Sequence, residues 1–108
     1  MMKAFRAGLA ASLYVLAVAP GAAQMAPDVQ RGLVLAKTRC AQCHSIDKAG
    51  PSPLSIAPPF RDLHKRYPVE SLEEAFAEGI STGHPTMPEF RFRPDQIANL
   101  IAFLKSLE

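Results

Sequence analysis

Apolar residues recur with a helical period in three parts of this 108-residue chain. In the first, Val29, Leu33, Ala36 and Cys40 follow at intervals of four, three and four, so they share one helix face. Asp28, behind Pro27, is expected at the N-cap, and the helix is expected to run toward Arg39. Gly32 inside this pattern costs about 1 kcal/mol relative to alanine. It reads equally as a tolerated weak spot or as a gap that lets another helix approach closely. The second part opens on Ser71-Leu72-Glu73-Glu74, which fits a capping box with Ser71 as N-cap and Glu74 at N3. Leu72, Ala75, Phe76 and Ile80 supply its buried stripe, Gly79 a stop, and Glu70, Glu73, Glu74 and Glu78 an exposed acidic side. The third starts with Pro94 at N1 and Asp95 near the positive helix end. There Ile97, Leu100, Ile101 and Leu104 form the apolar face, and Phe103 and Leu107 widen it.

Between the first two patterns no amphipathic repeat survives. Pro51, Pro53, Pro58, Pro59 and Pro68 fall between Ser45 and Pro68, with Gly50 among them, so a loop wrapping a ligand is expected. A short helical turn fits at Arg61–Lys65, and Leu54, Ile56, Phe60 and Leu63 are available for apolar contact with whatever is enclosed. Sustained two-residue alternation is missing, so the pattern predicts an all-α domain with three main helices.

Before the first helix the chain has a different character. Lys3 and Arg6 precede an apolar run from Ala7 to Ala19, broken only by Ser12, and Pro20-Gly21-Ala22-Ala23 follows. Charge, apolar run and small residues in that order read as a secretory signal. A membrane anchor is the competing reading, but such a run spans about 20 Å as a helix, against a hydrocarbon core of about 30 Å. Residues 1–23 are therefore expected to be a cleaved leader and 24–108 the working domain, with Ala19 and Ala26 as alternative cleavage sites. A bacterial periplasm is the expected destination, as the resemblance given below implies, with no membrane required after cleavage.

The leader changes the charge balance. The full chain carries 12 Lys+Arg and 10 Asp+Glu, for a formal +2. Without Lys3 and Arg6 the two signs are equal, so the composition gives no support to a nucleic-acid partner and only modest long-range steering. A domain this small has a marginal core and needs a staple. Both cysteines of the chain lie in Cys40-Ala41-Gln42-Cys43-His44, so none remains to form a disulfide elsewhere.

That pentapeptide carries the chemistry. Two thiols at this spacing can add to the two vinyl groups of a haem, leaving the next imidazole beside the iron. Cys40 and Cys43 read as thioether links and His44 as the proximal axial ligand of one covalent haem c, which would also centre the core. A dithiol redox pair is an alternative, but it belongs at a helix start in a βαβ setting. Zinc is another, and its second ligand pair is missing. For the other axial position the chain offers Met87, His84, His64 and Met25. Met87 lies in His84-Pro85-Thr86-Met87-Pro88, where prolines hold the backbone extended and suit it to deliver a thioether. His84 is its rival, and bis-histidine ligation would give a lower potential.

Asp28-Val29-Gln30-Arg31-Gly32 leading into Cys40-Ala41-Gln42-Cys43-His44 resembles the start of small monohaem class I cytochromes c of exported bacterial type. Leu100-Ile101-Ala102-Phe103-Leu104-Lys105 resembles their C-terminal helix and Met87-Pro88 their methionine loop. The resemblance implies the cytochrome c fold, Met87 as distal ligand, and Gly32 facing Phe103 where the terminal helices cross. It implies a proline carbonyl accepting the Nδ1–H of His44, and Ala57-Pro58-Pro59-Phe60 selects Pro58 over Pro51. Arg61 and Arg66 become candidates to neutralise the propionates. The chain departs from mitochondrial-type members in having no tryptophan, a shorter middle and few lysines. A monomeric electron carrier with transient redox protein partners is expected, with no catalytic residue. The alternatives are a cytochrome subunit of a periplasmic dehydrogenase, or a haem enzyme or gas sensor with a labile distal ligand.

Overall fold

Proline occupies the first turn of both long helices, where its missing N–H would have had no partner in any case. The computed structural model describes residues 2–5, 7–16, 24–79 and 87–108. Arg6, the leader's small-residue site with Ala19 and Ala23, Ile80 and His84 lie outside the described residues. Helix α1 spans Pro27–Arg39, α2 spans Leu72–Glu78 and α3 spans Pro94–Ser106. Short 3-10 helices at Phe60–Lys65 and Val69–Ser71, of two turns and one, lead from the proline-rich loop into α2. Among the described residues there is no strand, so the domain is all-α.

Two of the expected caps are corrected. The N-cap of α1 is Ala26, not Asp28, because Pro27 takes the first turn and moves Asp28 inside it. From there the Asp28 carboxylate sits at the positive end of the helix dipole and accepts the Val29 N–H at 2.8 Å. Ser71 makes no side-chain cap of α2. It is the last residue of a 3-10 turn, with φ −62° and ψ −17°, whereas a capping serine needs an extended backbone. The chain enters α2 already coiled, and the turn buries Val69 completely enough to replace the cap with packing. Helix α3 is capped instead by Gln96, whose Oε1 accepts the Arg93 N–H at 3.0 Å.

The main helix contact is α1 against α3. A Cβ built on Gly32 would overlap the Asn99 carbonyl of α3 and stand 2.7 Å from the Phe103 Cβ. The glycine therefore sets how closely the two backbones approach, which is a packing requirement and not a tolerated weak spot. Around this crossing Ala36, Ile97, Leu100, Ile101, Phe103 and Leu104 are buried, joined by Ile46, Leu63, Val69 and Phe76. At full burial a leucine or phenylalanine contributes roughly 1.5–3 kcal/mol, so α3 supplies the largest share of the core. Lys105 Nζ, on its exposed side, meets Glu70 Oε1 at 2.6 Å and ties α3 to the turn before α2.

Gly79 ends α2 with φ +100°, a conformation that L side chains rarely adopt. A Cβ there would also run into the Glu89 and Arg91 side chains. The segment after Met87 thus crosses directly over the helix end, and the Phe92 N–H donates to the Phe76 carbonyl at 3.3 Å.

Candidate haem site

The C-terminal end of α1 delivers the cysteines. Cys40 N–H still donates to the Ala36 carbonyl at 2.8 Å, and the His44 N–H closes the turn on the Cys40 carbonyl at 3.0 Å. Cys40, Cys43 and His44 therefore lie on one tight turn and all line a cavity of about 410 Å³. That volume lies within the usual range for bound cofactors, about 300–1,000 Å³. Walls come from the loop through Leu54, Ile56, Pro58 and Phe60, from Leu63 and Phe76, from Met87, Phe90 and Phe92, and from Leu104 of α3.

His44 is oriented by the loop. Its Nδ1 lies 2.8 Å from the Pro58 carbonyl oxygen, a contact in which only the ring nitrogen can donate. This fixes the tautomer and leaves Nε2 as the free ring nitrogen. The Phe60 ring sits 5.0 Å from the imidazole, tilted by 40°, and limits its rotation. Burial pushes the Cys40 thiol up to about 11, with Arg39 pulling weakly the other way. A dithiol oxidoreductase needs the opposite shift, because the thiolate is its nucleophile. Among the described residues no three histidine, cysteine or acidic side chains cluster as they would for zinc.

Of the axial candidates within the described residues, Met87 lines the cavity, while His64 and Met25 are exposed and line none of it. An aromatic row supports the Met87 side. Phe76 and Phe92 meet edge to face at 5.5 Å, and Phe90 stacks on Phe92 at 5.8 Å. The polar lining is sparse, and its charged members are Arg39 and Arg66 with no carboxylate among the described residues. A mostly apolar cavity with two guanidiniums, a free imidazole nitrogen, two thiols and a thioether suits a porphyrin carrying two carboxylates.

One expected site residue moves elsewhere. Arg61 does not line the cavity; its Nη1 donates to Ser45 Oγ at 3.2 Å and to the Asp47 carbonyl at 3.4 Å. The 3-10 turn carries it away, because the Phe60 N–H is already bonded to the Ser45 carbonyl at 2.9 Å. Sequence reasoning missed Arg39, Tyr67, Phe90 and Phe92. The alternation Phe90-Arg91-Phe92 is the one local signal that could have found two of them.

An all-α shell closed over such a cavity, with Cys-x-x-Cys-His on its wall, is the pocket of a c-type haem protein. The chain belongs to the cytochrome c family, whose model matches residues 29–108. A cytochrome c-553-like protein of Synechocystis sp. is 30% identical over 80 residues, covering 74% of this chain and 70% of the relative. No solved structure matches. The protein is a small class I monohaem cytochrome c that binds haem c covalently and transfers electrons.

Proposed function

We propose that the protein is an exported, periplasmic one-electron carrier, with haem held by Cys40 and Cys43 and its iron between His44 and Met87. The observation that carries this reading is the convergence of His44 and Met87 on the lining of one cavity. Bound haem iron supplies the Fe(III)/Fe(II) couple. The chain's own groups decide how that couple is used. Pro58 holds the imidazole in one tautomer and raises its basicity as a ligand. A Met87 thioether on the iron would favour its ferrous state, and the apolar walls would disfavour the added ferric charge, so both would raise the potential. If His44 and Met87 together held the iron, no side of it would be left for a substrate, which supports the reading of a carrier over that of an enzyme. Arg39 and Arg66 are the lining cations available to the propionates.

Export is supported by the region before α1. Leu9, Leu13 and Leu16 are almost fully exposed, so this apolar run packs against nothing among the described residues. No helix among them is long and apolar enough to cross a membrane. Residues 1–23 are accordingly the leader and 24–108 a monomeric domain that meets redox proteins transiently, through a small interface. Carbon monoxide binding to the ferrous holoprotein tests the proposal. Slow binding at neutral pH with fast electron exchange is expected; rapid binding by the folded protein would assign it to the haem sensors or enzymes.

A further inference from the structure

The residue after His44 is held unusually completely. Ser45 is buried, and all three of its polar groups are bonded. Its N–H donates to Ser52 Oγ at 3.0 Å, its carbonyl accepts the Phe60 N–H at 2.9 Å, and its Oγ accepts Arg61 Nη1 at 3.2 Å. The same guanidinium reaches the Asp47 carbonyl at 3.4 Å. These bonds join the segment that carries His44 to the segment that carries Pro58, three residues before Arg61. Between them lies the 2.8 Å contact from His44 Nδ1 to the Pro58 carbonyl. A hydrogen bond between two loop segments is only as well defined as their relative position. Arg61 and Ser45 fix that position from the side away from the cavity.

We propose that Arg61, through Ser45, is a positioning residue that sets the strength of the His44–Pro58 hydrogen bond and thereby the reduction potential of the iron. The proposal rests on His44 being the axial ligand. A strong Nδ1–H bond gives the imidazole more electron density to donate, which favours the ferric state. Slackening the brace weakens that donation and raises the potential. Removing the guanidinium altogether would also remove a positive charge, whose loss acts in the opposite direction. The informative changes therefore preserve charge: Ser45→Ala deletes the acceptor, and Arg61→Lys deletes the two-acceptor reach.

The test uses the haem-loaded protein. In the ferrous state, hydrogen exchange of the His44 Nδ1–H is followed by NMR, and the potential is measured by titration. Ser45→Ala and Arg61→Lys should each speed exchange by about tenfold, the size expected for loss of one charge-assisted bond, and each should raise the potential. Lys65→Arg, a charge-preserving change on the same turn at a residue paired with Asp62 at 3.1 Å, should move neither. Wild-type exchange rates and potentials in both charge-preserving variants, with intact haem spectra, would overturn the proposal. If His44 were not the ligand, the unaltered protein would itself lack His44 ring protons shifted by the porphyrin. That separate result would overturn the ligand reading, and this proposal with it.

Discussion

The Asn99 carbonyl of α3 occupies the space where a side chain on Gly32 of α1 would begin. The obstacle is backbone, which cannot swing aside as the end of a flexible side chain can. Gly32→Val should therefore destabilise the holoprotein by about 1–3 kcal/mol through overpacking, a loss of several degrees in melting temperature. Gly32→Ala should already show part of the effect. The haem spectrum should stay unchanged in both, and an unaltered melting temperature would contradict the close approach.

Replacing Met87 tests the distal ligand. Met87→Ala should abolish the weak sulfur-to-iron band at the near-infrared edge of the ferric spectrum, lower the potential, and open the iron to carbon monoxide. His84→Ala should leave the band in place. The reverse pattern would transfer the ligand role to His84.

Attachment can be tested chemically. Haem in the unaltered protein should survive acidified organic extraction, as thioether bonds require. The double change of Cys40 and Cys43 to serine should give little stable holoprotein, measured by the Soret absorbance remaining with the polypeptide. Normal haem content in that variant would remove the case for thioether links.

Phe92 joins the Met87 segment to α2 through one aromatic contact and one backbone hydrogen bond, both to Phe76, and stacks on Phe90 within its own segment. An aromatic pair contributes about 0.5–1.5 kcal/mol beyond its buried area. Phe92→Ala should lower stability on that scale and make the near-infrared band disappear on warming before the Soret band changes. Simultaneous loss of both signals would mean that Phe92 supports the whole core and not the methionine segment in particular.

The Glu70–Lys105 pair gives a pH signature. The hydrogen bond from Lys105 is the main reason that Glu70 titrates below the ordinary glutamate range, and the same bond raises Lys105 above the ordinary lysine range. A carboxyl lowered by folding stabilises above its unfolded pKa and ceases to as pH falls through the folded value. An ammonium raised by folding stabilises below its unfolded pKa and ceases to as pH rises through the folded value. The contribution is therefore level near neutrality and fades at both extremes. Glu70→Gln should lower the melting temperature slightly at neutral pH, less so at high salt because both side chains are exposed. At pH values below the carboxyl's titration the variant and the parent should melt together. A difference that persisted in acid would point to a cause other than the pair.

The sequence was most legible where local and tertiary signals agreed. The apolar face of α3 from Ile97 to Leu104 is buried as its period requires, and α1 ends at Arg39, where Cys40 begins the haem turn. The Ser71 box failed because cap chemistry is judged from side chains, while the preceding Pro68 and buried Val69 impose a 3-10 entry that leaves no extended residue to cap. Arg61 was misread for a similar reason. A positive charge near a haem motif suggests a propionate, but the hydrogen bond between the Phe60 N–H and the Ser45 carbonyl turns that side chain toward a buried serine. The alternation Phe90-Arg91-Phe92 marks Phe92 as inward-facing, but its pairing with Phe76 on another element has no local signal.

The crossing at Gly32 also has a kinetic meaning. Its two helices are the first and the last in chain order, so their contact is among the least local the fold contains. Bringing them together requires closing a loop through nearly the whole domain, at an entropic cost that no nearby contact repays beforehand. A pairing this distant in sequence forms more slowly than contacts within one helix. Until the final turns of α3 exist, the apolar side of α1 has no surface to meet. A ribosome or a translocation channel would therefore handle this polypeptide as an open thread, with both thiols within reach of whatever attaches the porphyrin.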